Sequence, residues 1–468
     1  AETLKYRRRR AGHLFSKMRF LSAQLLAFVT DDLWLRNARH ANAMAARIRE
    51  GLAEIPGVKF PHPTELNFVL AGLPKEVWDG LVAGRSGAGL ITAYDASDQV
   101  VRIAAEVKDF DPLAYFGRKQ VRRSDRFAQL AMFAADQAVA DAGLAFDNNG
   151  SNPHAGIIVG TGIGGVSTLL DSYDVYRDRG PKRVSALMVP MMMPNAAAGE
   201  LAIRYGLHGL SMSLASACAT GTNAIGEGAE RIRHGAAEIM ICGGVESVMH
   251  PLTLAALSNM GAVSRRNDEP ERASRPFDAN RDGFLMGEGC GVLILESLEH
   301  AQQRGAHIHA EVFGYGSSCD AFHITAPDEE GAGAVLSMQA ALDDAGLAPE
   351  EIDYINAHGT STPLNDRTET QAIRRVFGKH AYRVPVSSTK SMVGHLMGAA
   401  GTVEAIACTK TLQTGVLHPT INYETPDPDC DLDYVPNTGR DTEVSVAMSN
   451  TYGFGGTNAS LVFRKYKP

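Results

Sequence analysis

The stretch "SLASACATGTNAIGEGAE", residues 213–230, sets one cysteine among small side chains. Ser213 to Ala217 reads as the end of a buried strand, and from Ala219 the spacing of Ala224, Ile225, Gly228, Ala229 and Ile232 predicts a helix. Cys218 then falls at a strand-to-helix turn. Free N–H groups and the positive end of the helix favour a thiolate there and lower its pKa. Small neighbours let a substrate approach the sulfur closely. A buried structural cysteine would look the same locally, so a chemical role needs partners elsewhere in the chain.

Outward from this turn, strands and helices alternate to the end, the mark of layered α/β architecture. Strands are predicted over 154–160, 238–247, 290–297, 309–318, 352–360, 384–390, 444–455 and 459–466, and helices over 124–142, 219–234, 333–345, 365–377 and 398–414. Two pairs of segments recur in the same order, which points to an internal duplication. "SACATGTNAIGEGAERIRHG" matches "GHLMGAAGTVEAIACTKTLQTG", and "AQLAMFAADQAVADAG" matches "AVLSMQAALDDAG".

The 468 residues suffice for two or three domains, and a net charge of −8 leaves no global nucleic-acid footprint. No run of about 18 apolar residues is present to span a membrane. The six cysteines show neither CxxC nor disulfide-like spacing, so a reducing cytoplasm is expected. Residues 1–50 carry eleven Lys/Arg against four Asp/Glu, with Arg7 to Arg10 consecutive. Residues 23–58 nonetheless read as two ordinary helices with a Pro-Gly stop rather than a targeting peptide. The chain begins without Met, as a fragment or a processed form would.

Two histidines occupy settings like that of Cys218. His358 in "NAHGTSTPLND" follows a strand, and His395 in "STKSMVGHLMGAAG" precedes a helix, five residues beyond Lys390. Ligands of open α/β folds gather at such strand ends. "SNTYGFGGTN", residues 449–458, supplies Gly-flanked N–H groups suited to an oxyanion.

Together "SACATGTNAIG", "HGTSTPLND", "KSMVGHLMGAAGTVEA" and "SNTYGFGGTN" resemble the β-ketoacyl-acyl carrier protein synthases of thiolase-like fold, from about Val82 to Lys465. "GHLMGAAG" and "GTGIGG" look more like synthase II than synthase I. The resemblance implies two duplicated α/β halves in an αβαβα core: a nucleophile half over 81–315 and a two-histidine half over 316–468. It implies elongation of fatty acids by decarboxylative condensation of malonyl-carrier protein; a polyketide ketosynthase would share that mechanism. Cys218 takes the acyl group, and His358 and His395 stabilise the enolate. Lys390 and Glu404 resemble the family lysine and glutamate beside them. Phe454 resembles the gating phenylalanine that also offers an oxyanion N–H, and Ile163 the wall of the acyl pocket.

No metal or organic cofactor is implied; "GTGIGG" is only a weak dinucleotide signal. An acidic acyl carrier protein is the expected partner, docked on Lys119, Arg122, Arg123 and Arg266, with Arg118, Lys182 and Arg183 nearby. A homodimer paired through the N-terminal sheets is expected.

The family's opening strand, VVVTGxGxxTPLG, is absent. By this resemblance that strand belongs to the middle of the N-terminal sheet, and its loss would leave, as the alternative, a catalytically impaired fusion protein or dimer partner. Residues 1–80 resemble instead a C-terminal fragment of a threonine aldolase or β-eliminating lyase, an α-rich appendage joined near Trp78 to Ala83. "ELNFVLAG" alternates Leu66, Phe68 and Leu70 with Asn67, Val69 and Ala71. Apolar on both faces, it is predicted to fill the vacant slot as a parallel central strand.

Overall fold

A computed structural model describes residues 69–70, 75–146 and 152–467, which belong to one compact unit, 65–468. The helices read into residues 1–55 lie outside the described residues, as does the rest of the aldolase-like appendage apart from 69–70 and 75–80. No described helix is long and apolar enough to cross a membrane. All six cysteines are free.

Two five-stranded sheets carry the fold. In the N-terminal half, β1 (Val69–Leu70), β2 (Ala155–Gly160), β3 (Ser211–Met212), β4 (Ile239–Glu246) and β5 (Gly289–Glu296) lie in the order β1-β5-β4-β2-β3. In the C-terminal half, β6 (Glu311–Cys319), β7 (Tyr354–Asn356), β8 (Val386–Ser387), β9 (Val446–Gly453) and β10 (Thr457–Arg464) lie in the order β6-β10-β9-β7-β8. The strand directions also match. β2 is parallel to β3 and β4, as β7 is to β8 and β9, and the remaining pairs are antiparallel. The duplication read from two helix pairs thus extends to the whole topology.

Helices form three layers around the sheets. α1 (Arg126–Asp141) and α2 (Ala196–Tyr205) cover the outer face of the first sheet, and α4 (Ala332–Ala345) and α5 (Pro363–Phe377) that of the second. α3 (Thr220–Arg233) and α6 (Ala400–Thr414) lie between the sheets. Strand β2 shows why its sequence is apolar throughout. Ile157 and Val159 pack into the outer cluster with Phe127 and Leu201, while Ile158 packs into the central one with Ile225 and Ile406. Full burial of each such side chain contributes about 1.5–3 kcal/mol.

The small residues around Cys218 answer to the crossing of α3 and α6. A Cβ at Gly221 would lie 2.8 Å from the Thr402 nitrogen, and one at Gly401 would lie 2.0 Å from Thr222 Oγ1 and 2.8 Å from the Thr222 nitrogen. Alanine ordinarily stabilises a helix over glycine. Here the sign reverses: Gly401→Ala is expected to cost about 1–3 kcal/mol, measured by chemical denaturation. A neutral or stabilising result would contradict the close crossing.

The structure corrects two expectations. Residues 213–216 are irregular, and the strand is the two-residue β3 immediately before them. The slot of the first strand lies at the sheet edge, not in its middle. Val69 pairs with Ile294 and Leu70 with Leu293, antiparallel, in the place that nine-residue β6 occupies beside β10. The substitute for the first strand is therefore peripheral and antiparallel. At an edge only one ladder is shortened, whereas a gap in the middle would divide the sheet and open its core.

Candidate active site

Cys218 is the central residue of a 3-10 turn, Ala217–Ala219, that runs into α3. Ala217 is forced to φ +50°, a conformation that costs about 1–3 kcal/mol for a residue with a side chain. Thr220 holds the turn: its hydroxyl accepts from the Ser216 N–H at 2.9 Å and donates to the Ala217 carbonyl at 2.7 Å. The thiol is 4 % exposed, at one wall of a cavity of about 370 Å³ that also meets Phe284, His358, His395, Met397 and Phe454.

His395 Nε2 stands 3.0 Å from Cys218 Sγ, and its Nδ1 accepts the Met397 N–H at 3.2 Å. Its backbone N–H is fixed to the Leu285 carbonyl at 2.7 Å, and Phe284 meets the ring edge-on with centroids 5.2 Å apart. His358 follows β7 at the head of a turn whose N–H groups, from His358 and Gly359, donate to Glu369 at 2.8 and 2.7 Å. Its Nδ1 lies 3.3 Å from Lys390 Nζ, and that fully buried ammonium is ion-paired with Glu404 on α6. The two imidazoles meet edge-to-face, 5.4 Å between centroids.

These bonds assign the tautomers. Each Nδ1 is taken up by a donor, so each neutral ring carries its proton on Nε2, facing the cavity. Burial first, and then the Lys390 charge, hold both histidines well below their ordinary pKa; for His358, His395 adds to the effect. A depressed pKa leaves the neutral form in place as pH falls through the usual histidine range. The pH profile of malonyl decarboxylation is accordingly expected to show no inflection between about pH 6 and 8. An inflection near 6.5 would contradict the assignment.

Cys218 departs from the expected low pKa. Burial pushes the thiol up to about 11, against the opposing pull of Lys390 and of the Phe454 N–H that bonds to it. Desolvation outweighs the helix end because the sulfur is almost wholly removed from solvent at the floor of its cavity. Its alkylation by iodoacetamide should rise about tenfold per pH unit from 7 to 9, the thiolate fraction growing throughout that range. A rate already flat above pH 8 would contradict this.

Among the described residues, Cys218, His358 and His395 are also the one trio whose donor atoms converge as metal ligands, all within 4.8 Å of one another. Their wiring opposes that use. Both Nε2 atoms carry protons where a metal needs lone pairs, and the Lys390 ammonium adjoins His358. The "GTGIGG" turn gives no dinucleotide site, because its Gly162 and Ile163 N–H groups donate to the buried Glu246 carboxylate, at 2.7 and 3.3 Å.

The remaining predicted residues are dispersed. Ile163 is 41 % exposed and does not line the cavity holding Cys218. Lys119, Arg122 and Arg123 are exposed in and just after the short turn Arg118–Val121 that follows a break in the helix at Gly117. Arg266 is half-buried and donates to the Asn280 carbonyl at 2.8 Å. Glu246 and Glu369 escaped the sequence reading. Glu369 had a signal, since it shares the α5 stripe of Asp366, Ala372, Ile373 and Phe377, where a charge is out of place. Burial raises its pKa to about 8.

Two adjoining family models match the chain: the β-ketoacyl synthase N-terminal domain over residues 64–301 and the C-terminal domain over 309–424. The chain belongs to the β-ketoacyl synthase family. The match begins upstream of the join placed near Trp78 to Ala83, so it includes β1. Among its relatives, 3-oxoacyl-[acyl-carrier-protein] synthase 2 of Synechocystis is 50% identical over 393 residues, 84% of this chain and 94% of the relative. A β-ketoacyl synthase structure from Burkholderia phymatum is 36% identical with a TM-score of 0.78, covering 86% of this chain and 98% of that one. A type II polyketide ketosynthase, solved with its acyl carrier protein and bound to the hexaketide, is 33% identical with a TM-score of 0.77 over the same shares. The identity to the fatty-acid-type relative exceeds that to the polyketide enzyme, and the thiolase-like fold is common to both structures.

Proposed function

We propose that the protein is a 3-oxoacyl-[acyl-carrier-protein] synthase of the type II class, elongating fatty acyl chains. One observation carries the reading: two buried neutral imidazoles aim Nε2–H groups into the cavity that holds Cys218. In the first step Cys218 sulfur attacks the acyl-carrier thioester; the carrier thiol leaves with the cysteine's proton. Malonyl-carrier then loses CO₂, and the electron pair of the broken C–C bond forms an enolate. His358 and His395 donate to its oxygen, lowering the barrier where negative charge develops. The enolate carbon attacks the acyl-cysteine carbonyl, and the Cys218 and Phe454 N–H groups receive the oxyanion. That attack forms the new C–C bond; collapse then re-forms the carbonyl, breaks the C–S bond and expels Cys218 thiolate, which takes up a proton from solvent. His358→Ala and His395→Ala are each expected to lower CO₂ release from malonyl-carrier protein by at least about a hundredfold. Release at the unaltered rate in both variants would sink the reading.

The carrier is an acidic acyl carrier protein, met by Lys119, Arg122, Arg123 and Arg266. The related ketosynthase solved with its own carrier supports this partner. Arg122→Glu with Arg123→Glu should raise KM for acyl-carrier about tenfold with kcat unchanged, an effect that shrinks in high salt. An unchanged KM would place docking elsewhere.

The protein is a homodimer. Leu169, Tyr173 and Tyr176 are exposed along the helix Val166–Arg179, with Leu187, Val189, Met193, Ile203 and Leu210 exposed on the segments that follow. β3, two residues long, is the edge of the sheet beside them. Apolar surface of this extent is the signature of a subunit interface. It adjoins Ile163, so the acyl pocket would close across the dimer. Light scattering should give twice the chain mass; a stable active monomer would contradict this.

A further inference from the structure

The duplication supplies a second copy of the nucleophile turn. Met397–Ala399 precedes α6 as Ala217–Ala219 precedes α3, and Met397 at φ +46° repeats the strained Ala217 at +50°. Gly398 therefore stands where Cys218 stands. His358 is the second residue beyond β7, and Gly162 is the second beyond its counterpart β2. The Cys218–His358 pair, one residue from each copy, thus corresponds under the duplication to the pair Gly398 and Gly162, and these are in contact: a Cβ on Gly398 would lie 2.5 Å from the Gly162 nitrogen.

Glu246, the last residue of β4, projects its wholly buried carboxylate into this junction. One oxygen accepts from Thr161 Oγ1 at 2.8 Å and the Ile163 N–H at 3.3 Å; the other accepts from the Gly162 N–H at 2.7 Å and the Gly398 N–H at 3.1 Å. Only an ionised carboxylate offers two oxygens free of protons to four such donors. The donors come from both halves. On one side is the turn bearing Ile163. On the other is the Met397–Gly398 turn, whose Met397 lines the Cys218 cavity and donates to His395 Nδ1. We propose that Glu246 is a specificity-determining positioning residue that locks the Ile163 turn to the His395 turn and so sets which acyl chain lengths Cys218 accepts. The proposal rests on the reading of Cys218 as acyl acceptor and Ile163 as acyl-pocket wall.

The test compares rates of Cys218 acylation by carriers loaded with short and long chains, read by intact-protein mass. Glu246→Gln turns an amide donor toward N–H groups, and Glu246→Gly leaves a void ringed by four donors. Both should shift the long-to-short ratio by about tenfold or more. Formate added to Glu246→Gly should move the ratio back, which no general loss of folding would permit. Gly162→Ala, whose Cβ would lie 2.6 Å from the carboxylate, should shift the ratio too and serves if the Glu246 variants do not fold. A ratio unchanged in the variants that fold, or insensitive to formate, overturns the proposal. Failure of the unaltered protein to acylate Cys218 would instead overturn the reading beneath it.

Discussion

Cys218→Ser is expected to lower condensation at least about a thousandfold while the protein remains folded. The hydroxyl is nearly the same size, so packing against Met397 and Phe284 survives. What is lost is nucleophilicity. Even the buried thiol, raised to about 11, ionises more readily than an alcohol, and its surroundings are arranged for a sulfur anion. His395 Nε2–H and the Phe454 N–H point at that atom, and the Lys390 charge favours its ionised form. Decarboxylation depends on the histidine pair, which the substitution leaves in place, so CO₂ release should fall far less than condensation. Separate measurement of 3-oxoacyl product and CO₂ checks this. Equal losses in both would mean that the histidines do not act independently of the sulfur.

Lys390→Met is expected to cost about 3–5 kcal/mol of stability, because it strands the Glu404 carboxylate inside the protein without its cation. Both groups of this ion pair are buried, at 1 % exposure each. Burial already raises the Glu404 pKa, and Lys390 is the influence that opposes it. Adding Glu404→Gln should restore much of the stability, since the stranded charge is then gone, but not the activity. The histidines explain the difference. Lys390 donates to His358 Nδ1 and thereby keeps the ring proton on Nε2. It is also the chief charge holding both imidazoles neutral, so its removal raises their pKa values. The double variant should consequently show its histidine inflection at a higher pH than the unaltered protein, burial still holding it below the ordinary value. Denaturant melts and pH profiles of the single and double variants test both parts. Restored activity in the double variant would contradict the orienting role of the lysine.

Much of the active site was legible because its residues sit in turns, where sequence and backbone conformation are tightly coupled. Cys218, His358 and His395 each border glycine-rich segments that end or begin an element, and the fold gathers those segments at one place. Glu246 and Glu369 were hidden for the opposite reason. Each lies within or at the end of a regular element, and its partners are mostly backbone N–H groups of distant turns, so even the charge that marks Glu369 on its helix stripe does not say what it holds. The pKa of Cys218 misled for a related cause: a helix end is visible in sequence, whereas the depth of burial that overrides it belongs to the assembled fold. The first strand shows a third case. "ELNFVLAG" announced a strand, but its place at the edge is set by the pairing of β1 with β5, which only the sheet order reveals.

The most direct test of the account is to load the enzyme with acyl-carrier protein, locate the acyl group by peptide mass spectrometry, and then add malonyl-carrier protein. The expected result is a single acyl thioester on Cys218 that disappears as CO₂ and a 3-oxoacyl-carrier two carbons longer appear in equal amounts. An acyl group on any other residue, or one on Cys218 that malonyl-carrier does not discharge, would contradict it.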